Sequence, residues 1–155
     1  MEFVSKEDID APIQNVFDLL SDFDGFERAA LRRGAEVQRI DDLEQIGPGM
    51  AWDIGFMMRG KPRDLRLTLT EYDPPHGMVF SGGDKGLEGT VSVELVALSR
   101  TRTRMALRIT LAATNLPARL MLQSLKLGKT KLQSRFHLRM ADFATELEER
   151  YRRTA

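Results

Sequence analysis

The spacing of apolar residues changes from alternating to helical near residue 115, and that change limits the folds open to the chain. Over residues 34–114, apolar and polar side chains alternate in short runs such as LRLTLT (65–70). Alternation of this kind is typical of strands that bury one face. From Leu116 onward, apolar residues recur at every third or fourth position, which predicts one helix of roughly 35 residues. The sequence therefore predicts an antiparallel sheet covered by a long C-terminal helix.

Turn-forming residues divide the alternating region into short strands. We expect these strands at 35–41, 51–58, 65–70, 78–81, 91–95 and 105–111. The predicted turns are GPG (47–49), RGKPR (59–63), DPPHG (73–77) and SRTRTR (99–104), and GGDKG (82–86) is predicted to be a flexible link. Connections of hairpin length favour antiparallel pairing throughout the sheet.

A strand and a short helix open the chain. The predicted strand covers residues 3–9, and the helix follows within DAPIQNVFDLL (10–20). Asp10 is placed to cap this helix, and Pro12 suits its first turn, where the missing N–H costs nothing. The apolar residues of the segment recur with helical spacing and give the helix one apolar stripe.

A second short helix combines phenylalanines with arginines. Asp22 or Asp24 begins it, Asp24 and Glu27 have the spacing of a capping box, and Gly34 is placed to end it. The helix is too short to support a whole sheet. We therefore expect it to close the end of a cavity, with its phenylalanines pointing inward and its arginines in water. These residues are Phe23, Phe26, Arg28, Arg32 and Arg33.

Composition excludes several classes of function. The 155 residues contain no cysteine, which rules out disulfides, thiolate metal sites and a cysteine nucleophile. Basic and acidic residues number 23 each, so no overall charge attracts nucleic acid. The charged N-terminal segment does not have the pattern of a signal peptide, and no apolar run is long enough to span a bilayer. We expect one cytoplasmic domain over residues 1–155 that binds no nucleic acid.

The chain resembles the START-like, or SRPBCC, helix-grip superfamily over nearly its whole length. The resemblance rests on IDAPIQNVFDLLSDFDGFER (9–28), GPGMAW (47–52), LRLTLTEYDPPHGMVFSG (65–82) and LEGTVSVEL (87–95). It implies an α+β fold in which a curved antiparallel sheet of about seven strands wraps around the C-terminal helix, with two short helices after the first strand. More narrowly, the chain looks like bacterial members grouped with the polyketide cyclases. The superfamily implies binding of an apolar or amphipathic small molecule, sometimes with catalysis.

The candidate ligand-binding residues are the side chains expected to face the space between sheet and helix. Gly128 stands at the centre of the helix's apolar stripe, where glycine costs about 1 kcal/mol relative to alanine and leaves room. The eight methionines suit an adaptable lining. The alternative is that side chains fill this core completely. The candidates are Phe23, Phe26, Trp52, Phe56, Met58, Leu67, Leu69, Phe80, Val93, Leu107, Met121, Leu125, Gly128 and Leu132.

The sequence contains no recognisable catalytic constellation, and we assign no catalytic residue. His76 lies in a predicted turn and His137 on the predicted helix, where a lone histidine is more often structural than a general base. Motifs for metal, phosphate or dinucleotide binding are absent from the sequence, so we expect no metal and no cofactor. Tyr72 and Ser81 lie at strand ends near an expected cavity mouth, whereas Asp53 has the outward parity.

Basic residues of the C-terminal region form a stripe, and no acidic residue lies between positions 116 and 141. A solvated helix face explains this stripe, and attraction of an anionic membrane or an anionic ligand is the functional interpretation. We favour a noncatalytic carrier or sensor of a hydrophobic ligand. The alternatives are a polyketide cyclase/dehydrase-like enzyme assisted by Tyr72 or Asp53, a coenzyme-Q-binding-type accessory protein at the membrane, and a protein-interaction module without a ligand. The stripe comprises Arg119, Lys126, Lys129, Lys131, Arg135 and Arg139.

Overall fold

One strand, two helices, six strands and two helices follow one another in the computed structural model, which describes residues 1–58 and 60–154. The elements are β1 (Glu2–Ile9), α1 (Ile13–Leu20), α2 (Phe23–Arg32), β2 (Glu36–Arg39), β3 (Ala51–Met58), β4 (Lys61–Asp73), β5 (Gly77–Asp84), β6 (Leu87–Ser99), β7 (Arg102–Ala113), α3 (Leu116–Leu127) and α4 (Lys129–Thr154). The strands form one sheet in the order β1-β7-β6-β5-β4-β3-β2, with every neighbouring pair antiparallel. The predicted fold class is confirmed.

One face of the sheet is covered by helices and holds the core. We call this the inner face; it carries Trp52, Leu69, Val93 and Leu107, which are all buried. The core joins this face to α1 and α4 through a cluster of apolar side chains. Side chains of the cluster that expose no more than 1% of their surface are Ile9, Ala11, Val16, Phe17, Leu69, Met105 and Leu147.

Gly128 divides the predicted long helix into α3 and α4. The side chain of Asn115 accepts a hydrogen bond from the N–H of Ala118 at 2.9 Å, and Pro117 lies in the first turn of α3, both as predicted. Gly128 is the C-terminal cap of α3, with φ −106° and ψ 16°. The prediction of a single helix of roughly 35 residues is therefore wrong, because glycine is a poor helix former and here ends one helix before the next begins.

Strands β4 and β5 are longer than predicted. β4 begins at Lys61, so Lys61, Pro62 and Arg63 of the predicted RGKPR turn are strand residues, while Arg59 lies outside the described residues. β5 continues to Asp84. In both strands, pairing to the neighbour along the chain extends over residues whose composition favours a turn.

The GGDKG segment is an ordered hairpin rather than a flexible link. Only Lys85 and Gly86 separate β5 from β6, with φ of 48° and 88°, as a type I′ turn requires. The N–H of Thr114 donates to the Gly86 carbonyl at 2.7 Å, and Asn115 Nδ2 donates to the Lys85 carbonyl at 3.1 Å. These bonds connect the hairpin to the start of α3, so the prediction of a link outside the strands is wrong.

The first helix has a different cap from the one predicted. Pro12 is the N-cap of α1, and no side chain accepts a hydrogen bond there. The N–H of Asp10 instead donates to Glu148 Oε1 at 2.8 Å, and the Asp10 carboxylate pairs with Arg102 at 3.4 Å. Asp10 therefore connects β1 to α4 and β7, and the cap prediction is wrong.

The second helix is capped by Asp22 rather than Asp24. Asp22 Oδ1 accepts a hydrogen bond from the N–H of Gly25 at 3.1 Å. Asp24 lies in the first turn, where a carboxylate interacts favourably with the helix dipole. The helix ends as predicted, since Gly34 follows it with φ 91°.

The loop after β2 is fixed by one carboxylate. The side chain of Arg39 donates to both oxygens of Asp41, and the N–H groups of Ala51 and Leu43 also donate to it, each at 2.9 Å. These hydrogen bonds lower the pKa of Asp41 well below its usual range. The bonds from Arg39 have the largest effect, and the bond from the Ala51 N–H has the second largest. The stabilisation is therefore present at neutral pH and is lost as the pH falls below the ordinary carboxyl range.

We expect Asp41→Asn to lower the urea midpoint at pH 7 and to flatten its decline between about pH 5 and pH 2. Asp42→Asn is the matched control, since Asp42 is an exposed neighbour. An unchanged pH profile in the Asp41 variant would contradict the assignment.

Candidate functional site

A cavity of about 370 Å³ lies between α2 and the inner face of the sheet. Phe23, Phe26 and Glu27 of α2 line one side, and Phe143 of α4 also borders it. We call it the lid cavity and α2 the lid helix. Its sheet wall consists of Val37, Trp52, Ile54, Leu67, Met78, Phe80, Val91, Val93 and Leu107.

Aromatic contacts position the lid helix over this cavity. The Phe23 ring lies edge-on to Trp52, with ring centroids 5.5 Å apart, and edge-on to Phe80 at 6.0 Å. Phe26 lies 6.1 Å from Phe143. Such tilted and edge-on pairs are the favoured aromatic geometry. Both phenylalanines of the lid helix line the cavity, and the exposed Arg28, Arg32 and Arg33 face water.

Two polar bonds fasten the lid helix to the rest of the fold. The indole N–H of Trp52 donates to Glu27 Oε1 at 2.6 Å, which satisfies the only polar atom of the tryptophan side chain. Arg150 of α4 pairs with Asp22 at 3.1 Å, at the start of the lid helix. Glu27 thus binds the sheet instead of completing a capping box with Asp24. No local pattern indicates this partner, because 25 residues separate it from Trp52.

A second cavity of about 480 Å³ lies at the other end of the inner face, under α3. We call it the mouth cavity. Pro117, Ala118 and Met121 of α3 border it, together with the ends of β3 to β7. Its strand residues include Phe56, Met58, Arg63, Leu65, Leu67, Asp84, Leu87, Val91, Ile109 and Leu111.

A pair of glycines explains why the mouth cavity is hollow. Gly82 and Gly89 pair directly across β5 and β6, with the same parity as the inner-face residues Phe80 and Val91. Side chains at such paired positions would otherwise meet across the strands. Both glycines line the mouth cavity without adding a side chain to it, and the nearest side-chain atoms to their Cβ positions are those of Leu65, Leu67 and Leu111, at 3.2, 3.4 and 3.1 Å. Leu67 and Val91 line both cavities, so the two hollows adjoin.

The candidates from the sequence divide into three groups. Phe23, Phe26, Trp52, Phe80, Val93 and Leu107 line the lid cavity, Phe56, Met58 and Met121 line the mouth cavity, and Leu67 lines both. Leu69 is fully buried in the core. The residues Leu125, Gly128 and Leu132 line neither cavity.

The role assigned to Gly128 is wrong. It is exposed at the junction of α3 and α4, and a Cβ added there would meet only the Leu125 carbonyl oxygen, at 3.9 Å. The end of a helix needs no interior space, so this glycine does not create the hollow. Glycines in the strands create it instead. The sequence contains a sign of this, because Gly82 lies two residues from Phe80 and Gly89 two residues from Val91, and residues two apart on a strand face the same side.

Arg63 is a cavity residue that the sequence analysis missed. It lies opposite Phe56 in the register of β3 and β4 and lines the mouth cavity. Arg63 has the same parity on β4 as Leu65, Leu67 and Leu69, and this parity predicts that its side chain faces inward. The interpretation of RGKPR as a turn concealed that parity.

A sequence model of the polyketide cyclase/dehydrase and lipid transport family matches residues 1–148, nearly the whole chain. The chain belongs to this family. No protein of curated function matches the sequence. Among the described residues, none of the helices combines the length and hydropathy needed to cross a bilayer.

Solved structures resemble this polyketide cyclase/dehydrase and lipid transport family member at low identity. A protein from Thermus thermophilus has a TM-score of 0.67 at 17% identity, over 100% of this chain and 99% of its own. The Zhui aromatase/cyclase from Streptomyces sp. R1128 has a TM-score of 0.68 at 16% identity, over 100% and 96%. Norcoclaurine synthase from Thalictrum flavum has a TM-score of 0.66 at 13% identity, over 95% and 85%. These likenesses show a shared helix-grip fold.

In this family member, the polar candidates from the sequence lie outside the two cavities. The hydroxyls of Tyr72 and Ser21 are 2.7 Å apart, at the junction of α1 and α2. Asp53 pairs with Arg66 at 2.9 Å on the outer face. His137 Nδ1 lies 3.4 Å from Ser5 Oγ on a side chain that is 59% exposed.

Residues 1–58 and 60–154 contain no cluster of three His, Asp or Glu side chains able to hold a metal ion. The polar groups that do line the two cavities are few and carry opposite charges. Glu27 faces the lid cavity, and the charged residues of the mouth cavity are Arg63, Asp64, Asp84 and Lys85. The site thus consists of two adjoining apolar cavities with charged groups near its two ends.

Proposed function

We propose that the protein binds and carries a hydrophobic or amphipathic small molecule in the lid and mouth cavities. The observation that carries this proposal is the pair of adjoining hollows lined by leucine, valine, methionine and aromatic side chains. Their volumes of about 370 and 480 Å³ lie within the range of about 300–1,000 Å³ that ligand pockets occupy. Membership of a family that covers lipid transport supports the same conclusion.

The arrangement of polar groups favours carriage over catalysis. A general acid or base must lie within hydrogen-bond reach of the reacting atom. Glu27, the acidic group of the lid cavity, is already bonded to Trp52. Tyr72 and Asp53, the two residues considered for a cyclase-like reaction, line neither cavity. A cyclase-like role therefore needs a group other than these two.

Native mass spectrometry of freshly purified protein tests the proposal. We expect a bound apolar mass that disappears on denaturation and is recovered by organic extraction. The protein should be prepared from two expression hosts, so that a mass common to both is distinguished from a host lipid. An apo mass from both hosts, together with no quenching of Trp52 by the apolar probe N-phenyl-1-naphthylamine, would overturn the proposal. Trp52 reports on this site specifically, because it is the one tryptophan of the chain and lines the lid cavity.

A second part of the proposal is that α3 rests on an anionic membrane. Leu116, Leu120 and Leu127 recur with helical spacing on one side of α3 and are 66%, 56% and 92% exposed. The opposite side of the same helix buries Ala118 and Leu122. The helix is therefore apolar on both sides. It contains no acidic residue, and the basic stripe flanks it. These properties suit contact with lipid tails and anionic head groups. Docking there would place the mouth cavity at the lipid.

Vesicle flotation tests this contact. Binding to phosphatidylglycerol vesicles should exceed binding to phosphatidylcholine vesicles and should weaken as salt rises from about 0.1 M to 1 M. The double variant Leu120→Gln, Leu127→Gln should bind at least about tenfold more weakly, because two leucines lose their burial in lipid. Val96→Gln is the control, since Val96 is 50% exposed on the sheet. A dimer in sedimentation that the double variant abolishes, with no vesicle binding, would assign the leucines to a second copy instead.

A further inference from the structure

The arginines of the strands differ in whether they have a partner. Arg66, Arg104 and Arg108 pair with acidic residues at 2.9, 2.8 and 3.0 Å. Arg63 belongs to the same strand as Arg66 but faces the mouth cavity, and no salt bridge of the described residues includes it. Its Nε is buried and has no hydrogen-bond partner within residues 1–58 and 60–154.

The nearby carboxylates form no direct ion pair with this guanidinium. Asp64 is among the residues that border the mouth cavity, but it has the opposite parity to Arg63 on β4, and its Oδ1 lies on the outer face, near Gly55 and Glu36. Asp84 also borders the mouth cavity, but its carboxylate forms no ion pair with Arg63 within 4 Å. Lys85 adds a second cationic group at the rim, where it is exposed.

The side chain of Arg63 is half-buried, and its buried Nε has no acceptor among the described residues, which is unfavourable on an apolar wall. A buried donor without an acceptor destabilises the fold, and the effect is larger when the donor is charged. Guanidinium groups match carboxylates and phosphates, which accept two parallel hydrogen bonds from them. The cavity that Arg63 lines is mainly aliphatic and aromatic, with Phe56, Leu65 and Leu111 among its residues. An ion pair between Arg63 and an anion is screened less beside such a wall than in water.

We infer that Arg63 binds the anionic head group of the ligand, which makes the ligand an amphiphile with a carboxylate or phosphate at one end. The apolar part then occupies the mouth cavity and extends past Leu67 and Val91 into the lid cavity. This inference rests on the proposed function and adds the polarity and orientation of the ligand to it. Lys85 at the rim is placed to assist the same charge.

Ligands of equal chain length and different head groups test this inference. Dodecanoate, dodecyl phosphate and dodecan-1-ol are titrated against bound N-phenyl-1-naphthylamine, with Trp52 fluorescence as the readout. We expect one or both anions to bind the unmodified protein at least about tenfold more tightly than the alcohol. The anion that binds more tightly distinguishes a carboxylate ligand from a phosphate ligand.

Variants of β4 then assign the effect to one residue. Arg63→Gln should remove the preference for the anion and leave the affinity for the alcohol within about twofold, whereas Arg63→Lys should retain part of the preference. Arg66→Gln is the matched control, because Arg66 faces outward on the same strand. Circular dichroism and thermal melting establish that each variant folds.

Each other outcome has a definite meaning. Equal affinity for anion and alcohol in the unmodified protein would overturn the inference and keep the proposed function, and this arm needs no variant. A preference that survives in Arg63→Gln would also overturn it. If neither the probe nor any of the three amphiphiles binds, the proposed function fails and the inference fails with it.

Discussion

Substituting leucine for Gly89 is expected to weaken the binding of N-phenyl-1-naphthylamine and dodecanoate by about tenfold or more. A Cβ at this position would lie 3.1 Å from Leu111 Cδ2, the flexible end of a side chain, and 3.5 Å from the Thr110 carbonyl oxygen. The added side chain therefore fits after a small shift of Leu111. Its remaining carbons then occupy the mouth cavity, whose free volume is about 480 Å³.

The loss of ligand binding should depend on where the leucine is added. Glu94→Leu places the same side chain on the exposed outer face of the same strand, and it should leave binding unchanged. We expect the Gly89 variant to stay folded, with a change of about 1–2 kcal/mol in the free energy of unfolding. Equal binding by both variants in the Trp52 fluorescence titration would show that the ligand does not use the mouth cavity.

Substituting alanine for Leu147 is expected to lower the free energy of unfolding by about 2–5 kcal/mol. Leu147 lies on α4 in the core cluster and exposes none of its surface. A loss of this size is a large share of the roughly 5–15 kcal/mol that keeps a domain folded. The cost arises because the side chain leaves a hole that its neighbours fill only in part.

The same substitution at Leu127 is the matched control. Leu127 is 92% exposed at the end of α3, so Leu127→Ala should change stability by no more than about 0.5 kcal/mol. The free energy of unfolding from urea titrations with a shared slope gives both values. Similar losses in the two variants would contradict the assignment of Leu147 to the core and of Leu127 to the surface.

The periodicity of the sequence predicted the fold because each strand buries one face. A single apolar face forces strict alternation, and alternation can be read without any knowledge of neighbours. The runs around Leu67 and Val93 therefore lie on the inner face as expected. The cap at Asn115 was also predictable, since it bonds to the N–H of Ala118, only three residues away.

Features that depend on distant partners were not predictable in this way. Asp10 was expected to cap α1, but its backbone bonds to Glu148, 138 residues further along the chain. Glu27 has the spacing of a local cap and instead accepts from Trp52. In both cases tertiary contacts compete with the local motif and win.

The candidate site was predicted where it is apolar and missed where it is polar or empty. A hydrophobic pattern predicts which side chains face inward, but it gives no volume and so cannot tell a filled core from a hollow one. Gly128 was predicted to leave the space because it interrupts the apolar stripe of a helix. Gly82 and Gly89 leave space in the mouth cavity because they lie opposite each other on the neighbouring strands β5 and β6. The order of residues in the sequence does not show this pairing.

The adjoining cavities have different closing elements, and this separation has a consequence for how the protein changes over time. The lid helix closes one hollow and α3 closes the other, while Leu67 and Val91 form their common wall. If the proposed ligand spans both cavities, substitutions in the lid helix would change the space for one of its ends and leave the space for the other end unchanged. Selectivity for the two ends of such a ligand could then evolve separately while the sheet stays the same.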